Sequence, residues 1–125
     1  MCIIKAKGFR ETDLSGIEHM YFVLSEPDIE DMVLVVNITD IKNSPANSDL
    51  SCVLNIGDHP HITKQSVVYY KKAREMRASV ILKQLQIKDL SQIEDLPVQT
   101  LQKMQDGAKK SKLLPKKFKK YFDLF

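Results

Sequence analysis

Two short apolar runs constrain this chain more than any other feature: Met20-Tyr21-Phe22-Val23-Leu24 and Met32-Val33-Leu34-Val35-Val36-Asn37-Ile38. Both are built from aromatic, β-branched and other apolar residues, as buried strands are. Ser25-Glu26-Pro27 stops the first run. The acidic Asp28-Ile29-Glu30-Asp31 leads into the second, and Thr39-Asp40 closes it. Two strands joined by so short a polar connection predict a hairpin.

Further strand signals follow. Residues 42–51 are polar and carry Pro45, which predicts a loop. Cys52-Val53-Leu54 resumes a short strand, Asn55 to Pro60 is rich in turn formers, and Val67-Val68-Tyr69-Tyr70 is another strand candidate. The period then changes. Ala73, Met76, Val80, Ile81 and Leu85 fit a helix over residues 71–85, although residues 78–82 fit a strand equally well. Asp89-Leu90-Ser91-Gln92 reads as a turn or a capped start. Pro97 suits the first position of a helix carrying Val98, Leu101 and Met104, with Gly107 as its stop. After Pro115, the aromatics Phe118, Tyr121, Phe122 and Phe125 fall at i, i+3, i+4 and i+7, a helix stripe expected to dock on the body. Strands first and helices last predict an α+β or mostly-β chain. Its 125 residues allow one domain, with a strand-rich body over about 1–85 and a helical, lysine-rich segment over about 86–125.

Composition excludes several classes. At 43% hydrophobic and 28% charged residues the chain is not broadly disordered. It holds no apolar run of the roughly 20 residues a membrane helix needs. Residues 1–25 lack the layout of a secretory signal, so a cytoplasmic location is expected. Cys2 and Cys52 are too few for a disulfide framework. Cys52, inside an apolar strand, reads as a small hydrophobe rather than a nucleophile.

The net charge of +3 conceals an uneven distribution. Residues 1–99 hold 11 Lys/Arg against 14 Asp/Glu, whereas residues 100–125 hold 8 Lys against 2 Asp. Within the basic end, Lys109, Lys110, Lys112, Lys116 and Lys117 are the candidates for contact with nucleic acid. An acidic protein partner, or simply a solvated helix face, fits the same lysines. No arginine lies in this stretch, so bidentate phosphate recognition is not indicated there.

Chemistry is best sought around Gly57-Asp58-His59-Pro60-His61, followed by Ile62-Thr63-Lys64-Gln65-Ser66. Histidine moves protons near neutral pH, and His59 with Ser66, Tyr69 or Thr63 could serve acid–base chemistry on a phosphodiester. The alternative is a His59 that hydrogen-bonds backbone to fix the turn. Histidines at i and i+2 on an extended segment can also share a metal, but no HExxH-like or CxxC spacing supports one. No GxxxxGK[ST], GxGxxG or GxSxG motif is present, and no metal or cofactor is expected.

Three segments together carry a resemblance. His19-Met20-Tyr21-Phe22-Val23-Leu24-Ser25-Glu26-Pro27 is similar to a strand of the form RPAVVLSP. Val33-Leu34-Val35-Val36-Asn37-Ile38-Thr39 is similar to VVVVPIT, and residues 57–69, GDHPHITKQSVVY, to a motif written roughly GxHPFIxxxSYVxY. The chain thus resembles, over about residues 15–75, a divergent branch of the PemK/MazF-like toxins of bacterial toxin–antitoxin pairs. The first two segments are generic strands and the third is the more specific. The resemblance implies a small SH3-like β-barrel with appended helices, often a homodimer. It also implies metal-independent cleavage of single-stranded RNA, and a cognate antitoxin that lays an acidic segment across the active face. Thr39 matches the family's strand-end threonine, whereas His19 stands where the family has arginine. The expected catalytic set is His59, His19, Thr39 and Ser66, with Lys64 as a nearby phosphate contact. The competing expectations are a non-catalytic barrel that binds a protein target, as the related CcdB-like branch does, or nucleic acid through its lysine-rich end, and a regulatory or structural domain with no toxicity.

Overall fold

A computed structural model describes residues 4–43 and 49–122. Cys2, Pro45 and Phe125, singled out above, lie outside the described residues. The chain is a small mixed α+β protein. Its strands are β1 (Gly8–Thr12), β2 (Glu18–Val23), β3 (Met32–Asp40), β4 (Val53–Leu54), β5 (Ser66–Val68), β6 (Arg74–Arg77) and β7 (Ser91–Ile93). Its α-helices are α1 (Ala78–Gln86) and α2 (Val98–Lys110), and short 3-10 turns cover Ile41–Asn43, Tyr70–Lys72 and Lys116–Phe122.

The expected hairpin is present as β2 and β3, paired antiparallel from Met20 opposite Ile38 to Val23 opposite Val35. All seven strands join one antiparallel sheet in the order β4-β5-β3-β2-β1-β7, with β6 also on β3. This sheet is not closed into a barrel, because β4 and β7 are its two ends and do not pair with each other. Helices and 3-10 turns cover its faces instead, so the sheet can stay open.

Strand β3 organises the molecule. Val33 and Val35 pack on one face with Ile4, Phe9, Val23 and the Ala78 and Ile81 of α1. Leu34, Val36 and Ile38 pack on the other with Phe22, Leu24, Met104 and Ala108 of α2, and Phe118 of the last 3-10 turn. Burial on both faces explains why β3 is apolar along its whole core stretch. One edge of β3 also serves two partners in succession. Its end, Ile38 to Asp40, pairs with β5, and its start, Met32 to Val35, pairs with β6. Between them the chain leaves the edge as the Tyr70–Lys72 turn, which sinks Tyr70 into the core, where its hydroxyl donates to the Met104 carbonyl at 2.6 Å.

Several local expectations need correction. Residues 78–82 are helical, in α1, while the preceding four residues form β6. Residues 91–93 return to the sheet as β7, so the segment after residue 86 is not wholly helical. The aromatic stripe after Pro115 lies on a 3-10 turn, with Phe118 buried and Tyr121 and Phe122 half-buried against the core. Gly107 does not stop α2, which runs on to Lys110. A Cβ at Gly107 would meet the Tyr70 hydroxyl, the Cys52 Cβ at 2.7 Å and the Ser51 carbonyl at 2.9 Å, so glycine is there for close approach. Gly107→Ala is therefore expected to cost about 1–3 kcal/mol through overpacking, despite the better helix propensity of alanine. A denaturant midpoint that is unchanged or raised would refute that account.

Candidate functional site

A hollow of about 350 Å³ opens where the start of β2, the end of β3 and the segment 61–66 meet. Its lining includes His19, Thr39, His61, Lys64 and Ser66. Four residues nominated from sequence, His19, Thr39, Ser66 and Lys64, thus come together. They arrive by strand pairing: Thr39 sits opposite Val67 and Asp40 opposite Ser66 in the β3–β5 ladder. Ser66 is buried and donates its hydroxyl to the Lys64 carbonyl at 2.9 Å. Lys64 extends into solvent, with its ammonium 3.8 Å from Asp40.

His59 does not join them. It is 1% exposed, and its ring stands edge-on to Phe22 with centroids 5.0 Å apart. Its Nε2–H donates to the Glu94 carbonyl at 2.6 Å, and its Nδ1 accepts from the His61 backbone N–H at 3.1 Å. Both nitrogens are committed to backbone, so none is left to exchange a proton with a bound substrate. The reading in which His59 fixes the turn is the one that its contacts fit. The same turn is tied to α2, since the Thr100 hydroxyl donates to the Asp58 carbonyl at 2.7 Å and the Lys103 ammonium meets the Asp58 carboxylate at 3.0 Å.

The histidines at the hollow are His19 and His61, and each is held by a carboxylate that sequence reasoning missed. The His19 Nε2–H donates to Asp13 at 2.8 Å. A carboxylate can only accept, so the proton of neutral His19 resides on Nε2 and Nδ1 carries the lone pair. Nδ1 has no hydrogen-bond partner among the described residues. The Ser15 hydroxyl, His19 and the Ile17 N–H hold the Asp13 carboxyl well below the usual carboxylate range, so it stays ionised. Asp13 belongs to the β1–β2 turn, where an Asx-type turn beside Gly16 (φ 86°) is a sequence-visible signal, though one that points to a turn rather than to a site.

His61 is clamped from both sides. Its Nε2–H donates to the Glu94 carboxylate at 2.9 Å, and its Nδ1 accepts from Arg10 Nη2 at 2.8 Å. Arg10 has a second partner in Glu18, 3.6 Å from its Nε. The Glu94 carboxyl is held below its ordinary value, first by its own backbone N–H and then by His61.

His19 also borders a second hollow, of about 380 Å³, whose other walls are Tyr21, Asn37, Tyr69, Lys72 and Arg74. The Arg74 guanidinium lies 4.7 Å from the Tyr21 ring centroid and donates to Glu11 at 3.1 Å. Arg10 of β1 and Arg74 of β6 thus bring guanidinium groups to His61 and to the second hollow.

The candidate lysines of the C-terminal segment stand elsewhere. Lys109, Lys110, Lys112, Lys116 and Lys117 are exposed and line neither hollow. Three other lysines of the basic run have structural partners. Lys119 donates to the carbonyls of Ala108, Lys109 and Ser111 and so caps the end of α2, while Lys120 pairs with Glu75 at 3.5 Å and Lys103 with Asp58. Cys52 is 2% exposed, and burial pushes its thiol up to about 11, which suits a core residue. No helix among the described residues is long and apolar enough to cross a membrane.

Comparison of the chain with protein-family models, with curated proteins and with solved structures found no match.

Proposed function

We propose that this protein is the toxin of a cytoplasmic toxin–antitoxin pair and that it cleaves single-stranded RNA without a metal ion. The observation that carries the reading is the convergence of His19, Thr39, Ser66 and Lys64, from three separate segments, with His61 on one open hollow. Transphosphorylation needs a base for the ribose 2′-hydroxyl, an acid for the departing 5′-oxygen and positive charge for the phosphorane. Side chains at this hollow, together with Arg10 bound to His61, supply each of them. His19, oriented by Asp13, takes the 2′-hydroxyl proton on Nδ1, and the 2′-oxygen then attacks phosphorus. Arg10 exchanges His61 Nδ1 for a phosphate oxygen and retains Glu18, while Lys64 and the Thr39 hydroxyl hold the remaining oxygens. His61, freed at Nδ1, takes up a proton there from solvent and, as an imidazolium paired with Glu94, passes it to the 5′-oxygen as its bond to phosphorus breaks. The products are a 2′,3′-cyclic phosphate and a 5′-hydroxyl.

In this reading the family's SH3-like barrel corresponds here to an open sheet flanked by helices. A cognate antitoxin and a second copy of the chain are the expected partners. The test is induced expression in bacteria with mapping of RNA 5′ ends, wild type beside His19→Ala. New sequence-specific ends in wild type alone are expected. Growth arrest without new ends would replace the ribonuclease with an inhibitor of a protein target.

A further inference from the structure

We infer that the second hollow is a nucleobase subsite, in which the Asn37 amide reads the edge of a base held by the Tyr69 ring and the Arg74 guanidinium. The inference rests on the ribonuclease reading only for the origin of the base, the nucleotide beside the scissile phosphate.

Asn37 is the anomaly that points there. It is the one amide in the apolar run of β3, at a position where the resembling strand has proline. Its residue is 9% exposed, and its side chain makes no hydrogen bond among the described residues. A buried amide normally finds partners, because leaving its donors and acceptor unpaired is costly. This one lies in the wall of a hollow instead. The hollow exists because the chain leaves the β3 edge at Tyr70–Lys72, after the Tyr69 N–H has bonded the Asn37 carbonyl at 2.9 Å, and rejoins it where Arg74 faces Val35. That detour opens space beside Asn37 between Tyr69 and Arg74.

The rest of the lining narrows the ligand class. The Tyr69 ring offers an apolar face for stacking, and the Tyr21 ring, stacked on Phe9 with centroids 5.5 Å apart, carries the Arg74 guanidinium 4.7 Å from its own centroid as a second plane for a base. Lys72 and Arg74 bring positive charge for a phosphate. The Arg74 Nε is the one fully buried side-chain donor without a partner among the described residues, and Arg74 shares the wall of the hollow with Asn37. A primary amide presents one donor and one acceptor side by side, the pattern that pairs with a base edge and suits adenine best. An aliphatic ligand would leave the amide unpaired, and a bare phosphate would leave the Tyr69 ring unused. His19 borders both hollows, so a base seated here places its own phosphodiester at the His19–His61 hollow.

The experiment titrates the full chain with each of the four nucleoside 5′-monophosphates and with ribose 5-phosphate, following the Asn37 side-chain amide and the Tyr21 and Tyr69 rings by NMR. At least one nucleotide, with AMP the first expectation, should bind with a sub-millimolar Kd and shift these signals. Asn37→Ala should weaken it about tenfold. Asn37→Asp keeps the shape but removes the donors, and it should change the order of preference among the bases. Flat titrations, or ribose 5-phosphate binding as well as the nucleotides, would overturn the subsite. Cleavage is scored separately. Nucleotide binding without RNA cleavage would leave the subsite standing and remove the ribonuclease reading. Cleavage with flat titrations and an unchanged cutting consensus in Asn37→Ala would do the reverse.

Discussion

His19→Ala is expected to lower the rate of RNA cleavage by about 10²–10⁴-fold, the range typical of removing a general base, with no loss of thermal stability. His19 lies near the start of β2, and its side chain's one hydrogen bond among the described residues is to the exposed β1–β2 turn, so the fold does not depend on that side chain. The companion variant is Asp13→Asn. An asparagine amide can donate to Nε2, which would move the imidazole proton to Nδ1 and leave the base blocked where the 2′-hydroxyl proton must land. Asp13→Asn should therefore approach the loss of His19→Ala, although Asp13 touches no substrate and keeps its turn contacts in part. A cleavage rate within a few-fold of wild type in Asp13→Asn would show that the pair is only a turn contact.

The second large effect is on stability. His59→Ala is expected to cost about 3–5 kcal/mol, the cost of a large core truncation combined with two unsatisfied backbone groups. The variant removes a buried ring that packs on Phe22, and it leaves the Glu94 carbonyl and the His61 N–H without their partner. Because His61 is fixed through that N–H and through Glu94, the damage reaches the hollow as well. Loss of toxicity in His59→Ala is thus expected to follow from lost folded protein. Chemical denaturation read beside activity separates the two cases. A variant with wild-type stability and no activity would return His59 to the chemistry.

The β2–β3 hairpin was legible in the sequence because both runs are long, apolar and bounded by polar turns. Strand β1 was not. Gly8-Phe9-Arg10-Glu11-Thr12 has one large apolar residue, and it is a strand because the edge of β2 and the buried Phe9 make it one. The three residues of β7 carry no signal of their own and are held by the far edge of β1. Gly107 misled for a physical reason: a helix-ending glycine and a close-approach glycine look alike until the neighbouring Tyr70 is placed.

The hollow was legible in a similar measure. His19, Thr39, Lys64 and Ser66 came from three strand-like segments whose pairing brings their ends together. Asp13, Arg10, Glu94 and Arg74 came from none of those segments. Their relation to the histidines and to Tyr21 depends on cross-strand register and on the return of β7 to the sheet, which no local pattern records. At a finer level, the local sequence does not distinguish the placement of His59 from that of His61. Two residues apart on one turn, they differ in that His59 faces Phe22 and the core while His61 faces Arg10 and the hollow.

The central claim is tested most directly with purified protein, a single-stranded RNA of mixed sequence and a metal chelator in excess, with the chemistry of the product ends read out. The account predicts discrete cuts that leave 2′,3′-cyclic phosphate and 5′-hydroxyl ends, present in wild type and lost in His19→Ala at equal stability. Intact RNA with folded wild-type protein, or cuts that persist in His19→Ala, would contradict it.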